Sequence, residues 1–148
     1  MREMDVGRLM DIYYGENAAL DVNEFYQRVM SFFQTEGAFY AILKEQNTYL
    51  SALRVEPYLD GAIITGLETP ADMRCRGYAT DLLKRVLPIL ESSGYEKVYS
   101  HVERRNKASM CVHDRCGFFT LMEHAVLLDG TVSATTITLC KENTADSH

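Results

Sequence analysis

Arg74, Arg76 and Gly77, with Ala79 two residues on, are the residues of this chain whose types and spacing point most directly to ligand chemistry. The run Arg74-Cys75-Arg76-Gly77-Tyr78-Ala79 follows an apolar, strand-like segment, Ala62-Ile63-Ile64-Thr65-Gly66-Leu67. It opens a helix-like one, Thr80-Asp81-Leu82-Leu83-Lys84-Arg85-Val86-Leu87. A strand that turns through glycine into a helix aims several backbone N–H groups at one point. The first N–H groups of a helix have no internal partner, and the peptide dipoles add partial positive charge there. Such an end binds phosphate with backbone alone. Gly77 lets the chain approach a ligand without a Cβ in the way. Ala79 is small enough for the same purpose, and the two arginines add charge.

A second block lies about 30 residues further on: Asn106-Lys107-Ala108-Ser109-Met110-Cys111-Val112-His113-Asp114-Arg115-Cys116-Gly117-Phe118. The first run resembles the acyl-CoA signature of the GNAT superfamily of N-acetyltransferases: Gln or Arg, two residues, Gly, one residue, then Gly or Ala. The second block is similar to the later helix of that family, with Asn106, Ser109, Gly117 and Phe118 in matching places and His113 where the family usually has Tyr. The resemblance covers residues 60–120.

The resemblance implies an α/β, GNAT-like acyl-CoA transferase fold, a mixed central sheet flanked by helices. It implies an N-acyltransferase that moves an acetyl group from acetyl-CoA to an amine of a small molecule or peptide, by direct attack in a ternary complex. By the same resemblance Leu67, Glu68 and Thr69 hold the pantetheine arm, and a backbone N–H there meets the thioester oxygen. Arg74, Cys75, Arg76, Gly77, Tyr78, Ala79 and Thr80 bind the pyrophosphate. Asn106 contacts the pantetheine, and Ser109 lies beside the cofactor.

Acyl transfer needs positioned reactants, a donor for the developing oxyanion, and a proton or electrostatic help for the departing thiolate. His113 stands where the family places its acid, and an imidazolium of reference pKa ~6.5 can donate near neutrality. The alternative is a packing or surface histidine, with thiolate leaving unaided. Glu68 and Glu103 stand where the family often has a carboxylate that drains the ammonium proton through water; the alternative is that both are merely solvated. His101 alternates with Tyr99 and Glu103 on one strand face and reads as packed. A non-catalytic acyl-CoA-binding or sensing module on the same fold is the rival function, and an acetyltransferase half of a longer protein is a third reading.

The elements that must position these residues read in the order αα-βββ-α-β-α-ββ. Residues 4–15 are expected to be helical, with Leu9, Ile12 and Tyr13 on one side. Residues 22–35 carry Val22, Phe25, Tyr26, Val29, Phe32 and Phe33 at helical spacing, with Asp21 as N-cap and Gly37 as terminator. Phe39–Leu43, Tyr49–Val55 and Ala62–Leu67 read as strands, separated by turn-like residues 44–47 and 57–61. The helix after the first motif runs to about Ser93 and Gly94, with Pro88 expected to bend or break its last turns. Lys97–Val102 reads as a strand, Lys107–Arg115 as a helix, and Phe119–Leu128 and Val132–Leu139 as strands joined by an Asp129-Gly130 hairpin turn. The family's usual strand before the first helix has almost no room here, so it is either missing or upstream of Met1.

At 148 residues and 47% apolar, one domain over residues 1–141 is expected, with a disordered tail over 142–148. No apolar run reaches the ~18 residues of a membrane span, and no signal segment opens the chain. Cys75, Cys111, Cys116 and Cys140 form no C-x-x-C pair, which fits free thiols in the cytoplasm and no metal; a metal site using His113 with Cys116 is the alternative. Net charge is −6, yet residues 74–115 carry nine Lys and Arg against five Asp and Glu, an excess that suits a polyanion such as coenzyme A. Residues 1–36 hold Glu3, Asp5, Asp11, Glu16, Asp21, Glu24 and Glu36 against Arg2, Arg8 and Arg28, which suits a cationic amine acceptor or simply a solvated acidic face. The overall sign, the lack of Trp and the lack of a basic tail disfavour nucleic acid. A homodimer stays open.

Overall fold

A computed structural model describes residues 8–9, 12–13, 22–127 and 129–142. Its elements are α1 (Val22–Phe32), β1 (Phe39–Glu45), β2 (Thr48–Tyr58), β3 (Gly61–Glu68), a 3₁₀ turn (Ala71–Met73), α2 (Tyr78–Ser92), β4 (Lys97–Glu103), α3 (Lys107–Arg115), β5 (Phe119–Met122), β6 (Ala125–Val126), β7 (Val132–Ser133) and β8 (Thr136–Glu142). Six strands form one mixed sheet in the order β1-β2-β3-β4-β8-β5, and β6 and β7 form a separate hairpin. Only β3 and β4 run parallel, joined by the α2 crossover. No helix of the described residues is long and apolar enough to cross a membrane.

Strand alternation divides the core in two. Leu53, Val55, Ile64, Val98, Val102, Ile137 and Leu139 share a cluster with Leu82, Leu83, Val86, Leu87 and Leu90 of α2. On the opposite face Ala52 packs with Leu9, Ile12, Phe25 and Val29, so the helical residues 8–9 and 12–13 and α1 cover the β1–β2 side. Phe32 and Phe33 meet Tyr40 edge-on, at 5.3 and 5.7 Å between ring centres. Asp21, the expected cap, and most of the expected helix over 4–15 lie outside the described residues, as does the place of the family's first strand.

Several boundaries differ from the sequence expectations. α1 ends at Phe32, and the chain then runs through turns, with Thr35 N–H donating to the Phe32 carbonyl, before Gly37 takes φ +85. Pro88 leaves α2 unbroken through Ser92. A proline in a helix costs ~3 kcal/mol, and each buried Val or Leu returns ~1.5–3 kcal/mol, so Val86, Leu87 and Leu90 hold the last turns on the sheet. Gly94, at φ +95, then stops the helix, its N–H on the Glu91 carbonyl and that of Tyr95 on Leu90.

The expected long strands 119–128 and 132–139 are each interrupted. Arg104 sits at the break: its guanidinium reaches the Glu123 carboxylate at 2.8 Å, the Glu123 carbonyl, and the Ala134 carbonyl at 3.2 Å. Its backbone N–H donates to the Thr135 carbonyl at 3.0 Å, so both interrupted segments meet Arg104. Asp129-Gly130 does turn the short β6–β7 hairpin, with Gly130 at φ +89. β8 runs through Glu142, where the expected tail begins; residues 143–148 lie outside the described set.

Candidate functional site

The site begins where two parallel strands part. β3 and β4 pair from Ala62–Val98 to Ile64–Ser100 and no further, although β3 continues to Glu68 and β4 to Glu103. A bulge helps to turn β3 away: Ala52 pairs with Glu68 but Arg54 with Thr65, and Gly66 in between takes φ +60. The Ser51 hydroxyl donates to the Glu68 carbonyl at 2.9 Å and lies 3.1 Å from Thr69 Oγ1, pinning the free end of β3.

The loop that follows is shaped by its own charges and by backbone chirality. Arg74 donates from Nε to the Thr69 carbonyl and from its terminal nitrogen to Glu68 Oε1, each at 3.0 Å. Cys75 at φ +65 and Gly77 at φ +81 are both left-handed, which folds the backbone into a concavity. α2 starts at Tyr78 with no side-chain cap, so its first N–H groups stay available. A Cβ added at Gly77 would meet no atom within 4 Å, so a ligand has open room there.

α3 forms the facing wall. Asn106 Oδ1 accepts from the Ser109 N–H at 3.0 Å and caps the helix. Between α3, the end of β3 and the start of α2 lies a cavity of about 530 Å³. It gathers most of the residues singled out from the sequence: Leu67 and Glu68 from β3 and Thr69 just after it; Arg74, Cys75 and Gly77 from the loop; Tyr78, Ala79 and Thr80 from α2; Asn106, the cap of α3, and Ser109 within it. Arg76 and Glu103 are exposed and stand off this wall.

His113 is also off the wall. It is 1% exposed and does not line the cavity, although Ser109, one turn before it on α3, does. Nδ1–H donates to the Ser109 carbonyl at 2.7 Å, which fixes the tautomer, so the Ser100 hydroxyl donates to Nε2 at 2.8 Å. The ring packs edge-on against Phe118, and burial pushes its pKa below the usual histidine value. His101 packs edge-on to Tyr58 as its strand position suggested, and burial lowers its pKa too. Arg115, Cys111 and Val112 were missed in the sequence, although with Ala108 they recur at the 3–4-residue spacing of one helical face. Among the described residues no group of three or more His, Cys, Asp and Glu is placed to hold a metal ion.

The sequence model of the acetyltransferase (GNAT) family matches residues 7–118. No curated protein sequence matches the chain. Among solved structures, a spermidine N-acetyltransferase chimera from Vibrio cholerae and hSSAT superposes with a TM-score of 0.75 at 15% identity, over 96% of this chain and 92% of its own. A ribosomal-protein-alanine N-acetyltransferase from Brucella melitensis gives 0.74 at 16% identity, over 96% of each chain. The PaiA N-acetyltransferase from Thermoplasma acidophilum, solved in complex with coenzyme A, gives 0.67 at 10% identity, over 96% of this chain and 95% of its own. At these identities the likeness is one of fold.

Proposed function

The chain belongs to the GNAT acetyltransferase family, and on that premise we propose that it is an N-acyltransferase, carrying acetyl from acetyl-CoA to an amine of a small molecule or peptide by direct attack in a ternary complex. The observation that carries this reading is the cavity where the free end of β3, the left-handed loop and the uncapped start of α2 face α3. Those residues fit a phosphate-bearing thioester. Residues 74–80 supply backbone donors and charge for the pyrophosphate, the backbone from Leu67 to Thr69 at the freed end of β3 pairs with the pantetheine arm, and Asn106 and Ser109 close the other side. Bound there, the co-substrate supplies an activated acetyl carbonyl. The amine nitrogen bonds to it, the C–S bond breaks, and the nitrogen sheds a proton.

Both of His113's ring nitrogens are engaged in the core, which supports a positioning role that holds α3 against β4 at Ser100. The thiolate then leaves unaided into the open cavity. Glu68 is engaged by Arg74, which supports a holding role for it. Glu103, exposed at the end of β4, is the proposed outlet for the ammonium proton through water. The proposed cationic steering of acceptors rests on carboxylates outside the described residues; of that group only Glu36 has a described side chain, and it is exposed. One shared sheet supports a single domain over residues 1–141, and four free cysteines are compatible with the cytoplasm.

The test is thiol release from acetyl-CoA against a panel of amines, amino acids and peptides, run beside a melting experiment with acetyl-CoA. Release with at least one acceptor is expected. Stabilisation by acetyl-CoA with no release from any acceptor would favour a non-catalytic acyl-CoA-binding module.

A further inference from the structure

Among the described residues, two side-chain nitrogens are buried with no hydrogen-bond partner: Arg54 Nε and His101 Nε2. Buried polar groups are nearly always paired, so each such orphan calls for an explanation. The two are not scattered. Arg54 pairs with Thr65, the rung after Ile64–Ser100 would set Thr65 beside His101, and His101 pairs with Thr138. They therefore stand in one row across β2, β3 and β4, with Cα atoms about 10 Å apart for strands ~4.8 Å apart.

That row lies on the sheet face opposite α2, since Arg54 sits between Leu53 and Val55, which pack toward α2. It also lies at the fork. Ser100 is the last β4 residue paired to β3, so His101 is the first beyond it, where the two strands part. Aromatic rings flank the row. The Arg54 guanidinium lies 5.7 Å from the Tyr13 ring and packs over Gly66 at the bulge, whose carbonyl takes the Tyr13 hydroxyl at 2.7 Å. Tyr58 stands edge-on to His101 at 5.5 Å and ties this side to the β6–β7 hairpin through the Val126 carbonyl at 2.7 Å. No described carboxylate forms an ion pair with Arg54.

Resting on the acyltransferase reading, we propose that this face binds the acceptor, and that the acceptor is a small amine that also carries a carboxylate, held with its carboxylate on Arg54 and its amine toward His101. A guanidinium is a planar fork of donors matched to a carboxylate, and an anionic group there pairs the otherwise unmatched cation. Burial keeps the His101 ring neutral near pH 7, so Nε2 can accept from an amine N–H. The amine then sits at the fork, where the acetyl group must arrive.

The test compares free amino acids with their own C-terminal amides, with spermidine as an amine that has no carboxylate. Thiol release from acetyl-CoA gives kcat/KM, and calorimetry on the CoA-loaded protein gives binding without turnover. At least one free amino acid should be preferred over its amide by 10-fold or more. Arg54→Gln should bring that ratio near 1 while leaving stabilisation by acetyl-CoA as in the parent, and Arg54→Lys should keep part of the preference. Carboxylate-selective binding that is lost in Arg54→Gln, with no thiol release, keeps this inference and sinks the acyltransferase reading. Release only with spermidine or amides, no selective binding of any free acid, or a preference that survives Arg54→Gln overturns the inference and leaves the acyltransferase intact. Should Arg54→Gln fail to fold, the parent's acid-to-amide ratio decides alone.

Discussion

At the scale of the residue, His113 carries the sharpest contrast between type and place. A histidine at an acid's position in the chain is held in the core with both nitrogens bonded and its ring against Phe118. His113→Ala removes a buried ring and leaves the Ser100 hydroxyl unpaired, so stability should fall by roughly 2–4 kcal/mol in urea denaturation. Turnover per folded molecule should change less than about 10-fold; a loss of about 100-fold at unchanged stability would instead restore the acid role. Its titration gives a second prediction. The folded pKa lies below the unfolded ~6.5 because burial disfavours the charged ring. Above that value both states are neutral. As pH falls below it, the unfolded chain takes up the proton first, so stability drops until the folded pKa is reached. The melting temperature of the parent should therefore fall more steeply between pH 7 and pH 5 than that of His113→Gln. Its contacts Ser100, Ser109 and Phe118 do not titrate there.

At the scale of the element, the start of α2 and the start of α3 divide the work. Gly77 has a left-handed φ and open space beside it, so Gly77→Ala should cost about 1–2 kcal/mol from backbone strain alone. Gly77→Asp adds a carboxylate at the proposed phosphate site, and should abolish the rise in melting temperature expected when acetyl-CoA binds the folded state. A full shift in that variant would move the phosphate site elsewhere. Asn106→Ala removes the α3 cap and should cost ~0.5–2 kcal/mol, read by denaturation. Both helix starts were legible, one from the Gly77 turn and the apolar residues after it and one from the run that follows Asn106, because turn chemistry and amphipathicity are local; the capping role of Asn106 was not read from the sequence. The interruption of the two C-terminal strands was not, because it coincides with contacts from Arg104, in another part of the chain, to Glu123 and Ala134.

At the scale of the molecule, the cysteines report whether the cavity is the cofactor site. Cys75 and Cys111 are exposed and line it, whereas Cys116 and Cys140 are buried, and burial raises the pKa of both their thiols. Thiolate is the reactive form, so an alkylating reagent at pH 8 should label Cys75 and Cys111 first. Acetyl-CoA should slow that labelling at both, as followed by peptide mass spectrometry, without protecting Cys116 and Cys140. Equal labelling with and without acetyl-CoA would place the cofactor outside this cavity.

The residue order alone determined the α/β class, the turn through Gly77 into a helix, the helix after Asn106 and, through the resemblance of those two runs, the family, because each depends on spacing within a few turns of backbone. Tertiary structure decided the rest. The parting of β3 from β4 after Ile64–Ser100 depends on strand register, which no local pattern encodes. The burial of His113 depends on which face of α3 meets β4, and the alignment of Arg54 with His101 depends on two strands 47 positions apart being brought to either side of β3. Spacing sets which residues share a face of one element; only packing between elements decides what that face meets.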